Sequence, residues 1–298
     1  MRVTQGMLSN NMLHNLMNSQ AKMDKYLEQL YSGKKISRPS DDPVIAMKGM
    51  NYRAQLIEVE QFQRNTGEVN NWMDNSDSAL DQATKAMHRL RDLALKAGNA
   101  AYGDEELFSI KAEAEQIKAD LIDIANTNVN GKYIFNGTDT DTKPLTFDED
   151  GELNAIDQND NPVIIEVAKG TKIQANVDAT DVFGEALFAG IDAFLDLLAG
   201  DDVPGDKIDV GQALETIDQN TGNIINARAD LGARMNRLEL VESRLAEQEV
   251  IATKTMSDNE NIHYEVAITN LLTQESLHQA ALSAGSRVIQ PSLIDFLR

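Results

Sequence analysis

Ser40-Asp41-Asp42-Pro43 is followed by a long stretch without another proline until Pro144. Stepping alternately by three and four from Ile45 gives Ile45, Lys48, Tyr52, Gln55, Val59, Phe62, Thr66, Val69, Met73, Ser76, Leu80, Ala83, Met87, Leu90, Ala94 and Ala97. Twelve of these sixteen are apolar, a heptad stripe sustained over seven heptads. Proline breaks a helix by removing a donor and crowding the preceding turn, so its absence here permits one continuous helix. The Asp pair supplies side-chain caps, and Pro43 suits the first helical position. Gly98-Asn99 closes the segment. At 1.5 Å per residue the helix would run roughly 80 Å.

Working outward, the stretch after Gly103-Asp104 repeats the rule with Leu107, Ile110, Ala114, Ile117, Leu121 and Ile124. A second proline-free stretch, 205–290, carries Ile217, Ile224, Leu231, Leu238, Leu245 and Ala252 seven apart, with Leu214 and Met235 beside them. Long helices in isolation are marginal, because packing supplies most of their stability. Each buried Leu or Ile contributes about 1.5–3 kcal/mol once its stripe is covered. The simplest cover is mutual, an antiparallel bundle of 44–97, 104–128 and 209–255.

Between these helices the character changes. Asn130-Gly131 is a turn signal, and Tyr133-Ile134-Phe135 has strand propensity. Leu145–Phe147, Val163–Val167 and Lys172–Val177 read as short strands, with turns at Asp150-Gly151 and Asn161-Pro162. Ala186–Ala199 reads as a short helix. Residues 138–210 hold 18 acids against four Lys, a net of −14 out of −21 for the whole chain. A block so charged is solvated on its outer face.

The two ends share one pattern. Residues 1–40 are basic, and their seam is Met12, Leu16, Met23, Tyr26 and Leu30, diluted by Ser9 and Ser19. Residues 257–290 place Ile262, Val266, Leu271, Leu272, Leu277 and Leu282 among Asn, Thr, Ser and Gln. The last residues include Leu293 and Phe296. Stripes this thin are not covered by a domain of their own and mark partner contacts.

The acidic balance excludes a phosphate-neutralising nucleic-acid surface and disfavours an anionic membrane. No apolar run reaches the length of a membrane span. The first twenty residues lack the apolar core of a cleaved signal peptide. With no cysteine there is no disulfide, thiolate metal site or cysteine nucleophile. His14, His88, His263 and His278 form no metal-ligand spacing and read as solvent-facing. Gly33-Lys34-Lys35 lacks the first glycine of a phosphate loop. Asp148-Glu149-Asp150-Gly151 lacks the first and last ligands of a calcium loop, with Thr146 and Asp157 in those places. Asn136-Gly137-Thr138 matches a glycosylation sequon. No catalytic constellation appears, so the expectation is no enzyme, no cofactor and no metal.

Three stretches carry a resemblance. They are Met1-Arg2-Val3-Thr4 with Met12–Leu16, Leu30–Pro43 (Leu-Tyr-Ser-Gly-Lys-Lys-Ile-Ser-Arg-Pro-Ser-Asp-Asp-Pro), and Ile289–Leu297 (Ile-Gln-Pro-Ser-Leu-Ile-Asp-Phe-Leu). Together with Asn130–Thr138 they resemble the bacterial flagellin family. Pro39 and Pro43 flanking the Asp pair look more like its hook-associated members than its filament subunits. The resemblance covers about 1–138 and 205–298.

It implies a structural subunit joining hook to filament by helical self- and hetero-assembly, with a flagellin-type filament subunit as the alternative. A coiled-coil surface adhesin or signalling module is the rival from another class. The implied partners are copies of itself, hook-associated protein 1, flagellin, and a cytoplasmic export chaperone. Nucleic acid and membrane insertion are not among them. Localisation would be secreted, at the hook–filament junction, by the flagellar type III route.

The expected fold is mainly α, a long antiparallel coiled-coil or helical bundle built from both chain ends, with a small β-rich inserted domain. The expected segments are 1–43 (axial), 44–137 (bundle), 138–184 (outward insert), 185–255 (bundle) and 256–298 (axial). The candidate assembly residues are Met12, Leu16, Met23, Tyr26, Leu30, Ile262, Val266, Leu271, Leu277, Leu293 and Phe296, their ordering coupled to assembly.

Overall fold

In the computed structural model, Asp42 Oδ1 accepts hydrogen bonds from the backbone N–H groups of Val44 (2.9 Å) and Ile45 (3.1 Å). Pro43 is the first residue of the long helix, so the cap and the proline act together as the sequence predicts. The structure describes residues 5–98, 104–147, 153–154, 159, 161–199 and 210–289.

In chain order the elements are α1 (Gln5–Ser32), α2 (Pro43–Ala97), α3 (Asp104–Ala125), β1 (Asn128–Val129), β2 (Lys132–Tyr133), β3 (Thr146–Phe147), β4 (Leu153–Asn154), β5 (Ile164–Ala168), β6 (Thr171–Gln174), α4 (Ala179–Phe183), α5 (Glu185–Ala199), α6 (Gly211–Glu260) and α7 (Tyr264–Ile289). The fold is mainly α with a small β part. Among the described residues the strands pair antiparallel in twos, β1 with β2, β3 with β4 and β5 with β6.

The chain divides into two compact units, Met1–Glu58 with Gln248–Arg298, and Val59–Glu247. The breaks fall inside α2 and α6.

In the unit Val59–Glu247 the heptad stripe of α2 is the core. Thr66, Val69, Met73, Ser76, Leu80, Ala83, Met87, Leu90, Ala94 and Ala97 are all buried. The seven-residue repeat of α6 meets it: Ile217, Ile224, Leu231, Leu238 and Leu245 are buried too. Ion pairs fix the antiparallel register. Arg228 reaches both Asp77 (2.7 Å) and Asp81 (2.6 Å), and Arg91 reaches Asp218 (2.6 Å). Arg89 ties α3 to α2 through Glu113 at 2.5 Å, and Lys118 on α3 bonds Asp192 on α5.

The predicted turn at Asn130-Gly131 forms, both residues taking positive φ (54° and 84°) as a tight hairpin requires. The strand expected at Tyr133–Phe135 ends at Tyr133. Ile134 and Phe135 turn inward instead and are fully covered. Phe135 meets Phe183 edge to face at 5.1 Å, and Trp72 Nε1 donates to the Ile134 carbonyl at 3.3 Å. Core burial of two large apolar side chains outweighs one more ladder pair. The Asp150-Gly151 turn lies outside the described residues.

Candidate assembly interface

In the other unit, α1 and α7 are the chain's two ends, and they pair. The partly covered residues of α1 include Ser9, Met12, Leu16, Ser19, Met23, Tyr26 and Leu30, spaced three, four, three, four, three, four, with Gln29 beside the last. These are the seam predicted from sequence, serine included. On α7 the covered series is Ala267, Leu271, Gln274, His278, Ala281 and Gly285, with the same spacing. The helices run antiparallel. Gln274 Nε2 donates to Ser19 Oγ at 2.8 Å, Met12 lies against Gly285 at one end, and Tyr264 lies against Gly33 at the other.

The α7 seam differs from expectation. Leu271 is in it, but Val266 and Leu277 stand outside it, 58% and 57% exposed. Leu272 and Leu282 are also exposed. The face toward α1 is lined mainly by small and polar residues, which let two helices approach closely, while the larger aliphatic side chains project to the flanks. Ile262 is half-buried in the connection between α6 and α7. Leu293 and Phe296 lie outside the described residues. Ala267, Gln274 and Ala281 stand seven apart, as do Leu271, His278 and Gly285; the signal was in the sequence, in residue types that an apolar count passes over.

His278 is likewise not solvent-facing. It sits in the seam, and its Nδ1 is buried with no hydrogen-bond partner among the described residues. The other three histidines are exposed. Asn136, the sequon residue, is fully buried, its Nδ2 donating to the Thr142 carbonyl at 3.1 Å. It is therefore a structural amide, inaccessible to a glycosyl transferase.

Beside the seam both helices leave apolar surface uncovered. On α1 this is Met7, Leu13, Met17, Leu27 and Tyr31, the last 96% exposed. On α7 it is Val266, Ile268, Leu272, Leu277 and Leu282. Between Tyr264 and Ser286 the only Asp, Glu, Lys or Arg residues are Glu265 and Glu275. Apolar side chains left on exposed flanks beside a covered seam are the pattern of a helix that packs on more than one side.

At the root of the pair, Glu260 is the most enclosed charge among the described residues. Its side chain is 9% exposed. It accepts from Arg53 Nε (2.7 Å), Arg53 Nη2 (2.5 Å) and Lys34 Nζ (3.1 Å). The Arg53 hydrogen bonds, then Lys34, hold its carboxyl below the ordinary glutamate value against the opposing effect of burial. Asp41 is also held low, first by the Arg38 backbone N–H (2.9 Å) and then by Ser37.

Among the described residues no group of three or more His, Asp or Glu could hold a metal, and no helix is long and apolar enough to cross a membrane. Fold and site define a class of structural proteins: helical chains whose two ends form one antiparallel pair with apolar flanks. The chain belongs to the bacterial flagellin family. The bacterial flagellin N-terminal helical region matches residues 3–140, and the C-terminal helical region matches 214–297.

The chain is 26% identical to "Flagellar hook-associated protein 3" of Escherichia coli (strain K12), over 95% of this chain and 96% of that one. It is 26% identical to the flagellin of Bacillus subtilis (strain 168), over 80% of each. The flagellar junction protein FlgL of Legionella pneumophila superposes with a TM-score of 0.60 at 17% identity, covering 72% of this chain and all of that one, and this shows the shared fold.

Proposed function

We propose that the chain is the structural subunit that joins the flagellar hook to the filament. One observation carries this reading: the match to hook-associated protein 3 of Escherichia coli runs over nearly the full length of both chains. The geometry supports it. The apolar flanks of α1 and α7 are the surface that neighbouring copies would cover, and a head-to-tail contact of this kind builds open helical lattices. On this reading Leu13, Met17, Tyr31, Val266 and Leu277 join the seam residues as assembly residues. Segments 1–43 and 256–298 form the axial part, 44–137 and 185–255 the bundle, and 138–184 the outward insert. Neighbours are further copies of itself, hook-associated protein 1 and flagellin. Before secretion an export chaperone guards the C-terminal helix in the cytoplasm.

The second reading, a filament subunit, draws on the flagellin match. Deleting the gene separates them. A junction subunit's loss leaves cells secreting filament monomers that fail to attach. Loss of a sole filament subunit leaves hooks and no secreted filament protein, which would overturn the proposal.

A further inference from the structure

The two connections between the terminal pair and the rest of its unit are residues 33–42 and 261–263, and they meet at Glu260. The main chain supplies little of the join. Lys34 and Asn261 form one isolated antiparallel bridge, closed by Lys35 N to Glu260 O (2.7 Å) and Ile262 N to Gly33 O (3.0 Å). A two-stranded contact this short does not hold by itself. Gly33 makes it possible with φ of 70°, and Tyr264 Oη stands 2.8 Å from where a Cβ would be.

What gathers the segments is the carboxylate. Lys34 comes from the first connection, Arg53 from α2, and Glu260 from the end of α6. Around them Lys35 Nζ donates to the Asp258 carbonyl (2.5 Å), and Asn259 Nδ2 donates to the Ile45 carbonyl (3.1 Å). Gly49 on α2 leaves room for the carboxylate, since a Cβ there would stand 2.9 Å from Glu260 Oε1. Two stretches near the start of the chain and the end of α6 thus share one nearly buried anion; Lys34 and Arg53 are themselves half exposed, so the charge stranded by loss of a cation is that of Glu260.

We propose that Glu260 is a conformational latch, with Lys34 and Arg53 as its keepers, that holds the α1–α7 pair in one orientation against the neighbouring ends of α2 and α6. With the latch broken, the pair stays paired and swings as a body on 33–42 and 261–263. The device acts within this unit and stands or falls apart from the junction reading.

The chain has no cysteine, so two can be introduced and spin-labelled without background. The labels go on exposed positions of the full-length monomer. Gln20→Cys with Lys48→Cys reports the pair against α2. Gln20→Cys with Ser276→Cys reports the pair's own seam. The parent protein gives a narrow distance distribution for each. Adding Glu260→Gln, which keeps size and removes charge, broadens the first roughly twofold and leaves the second unchanged. A first distribution that stays narrow in the variant overturns the latch. So does broadening of both together, which would make Glu260 part of the seam, or a first distribution already broad in the parent.

Discussion

Met12 occupies the space that a side chain at residue 285 would need: an ideal Cβ on Gly285 would stand 1.2 Å from Met12 Cε and 2.5 Å from its Sδ. The sulfur arm of α1 thus fills a notch in α7 that only glycine leaves open. The obstacle is the far end of a flexible side chain, so size decides the outcome. Gly285→Ala is expected to be near neutral, within about 1 kcal/mol, because methionine re-rotates and alanine improves the helix. Gly285→Leu cannot be accommodated that way, and overpacking costs about 1–3 kcal/mol. Hydrogen exchange across α1 in the two variants checks this, with protection lost in the second alone.

Exposed and seam residues of α7 should part company. Leu277→Asp falls on an exposed flank, so the monomer's melting temperature is expected to hold within a degree or two. Incorporation into flagella, scored by motility and by secreted unattached filament protein, is expected to fail. Leu271→Asp sits in the seam and is expected to loosen α1 from α7 in the monomer as well, seen as lost exchange protection over both helices.

The bundle core responds in the opposite sense. Leu80 is fully buried and Leu238 is 1% exposed. An aspartate at either site buries an unpaired charge and is expected to cost about 3 kcal/mol or more, read by denaturant unfolding.

Acid should weaken the root of the terminal pair. Glu260 is held below its ordinary value of 4.5 by Arg53 and Lys34. A lowered native value means its stabilising contribution is complete above that ordinary value and is lost as pH falls through the native one. Protection factors of the Lys35 and Ile262 amides are therefore expected to decline only below about pH 4.5, and to be low and flat in Glu260→Gln. Asp41 is shifted the same way, downward from its ordinary value of 3.8; Asp41→Asn separates its share, since Asp41 bonds Ser37 and Arg38 and not those two amides.

The start of α2 depends on Asp42. Asp42→Ala removes the acceptor for two free N–H groups and is expected to cost about 0.5–2 kcal/mol, while Asp42→Asn retains most of the cap. Thermal unfolding of the two variants distinguishes them.

Much of this architecture was written in residue spacing. Sixteen positions from Ile45 to Ala97, six leucine, isoleucine and alanine residues from Ile217 to Ala252, and an Asp-Pro start were enough to place α2 and α6, because a heptad stripe over so many turns has only one way to be covered. The α1 seam was legible for the same reason, since methionine, leucine and tyrosine mark it. Composition excluded thiol chemistry, and the end motifs pointed to the family.

Tertiary structure alone decided the rest. The α7 face toward α1 could not be chosen by hydrophobicity, because the helix is apolar on several sides and the seam took its alanines, glycine, glutamine and Leu271 over Leu272, Leu277 and Leu282. Ile134 and Phe135 left the predicted strand because a three-dimensional core claimed them. Glu260 was invisible for the plainest reason: a carboxylate 207 residues from Arg53 and 226 from Lys34 has no local pattern, and only the folded chain brings the three charges to one point.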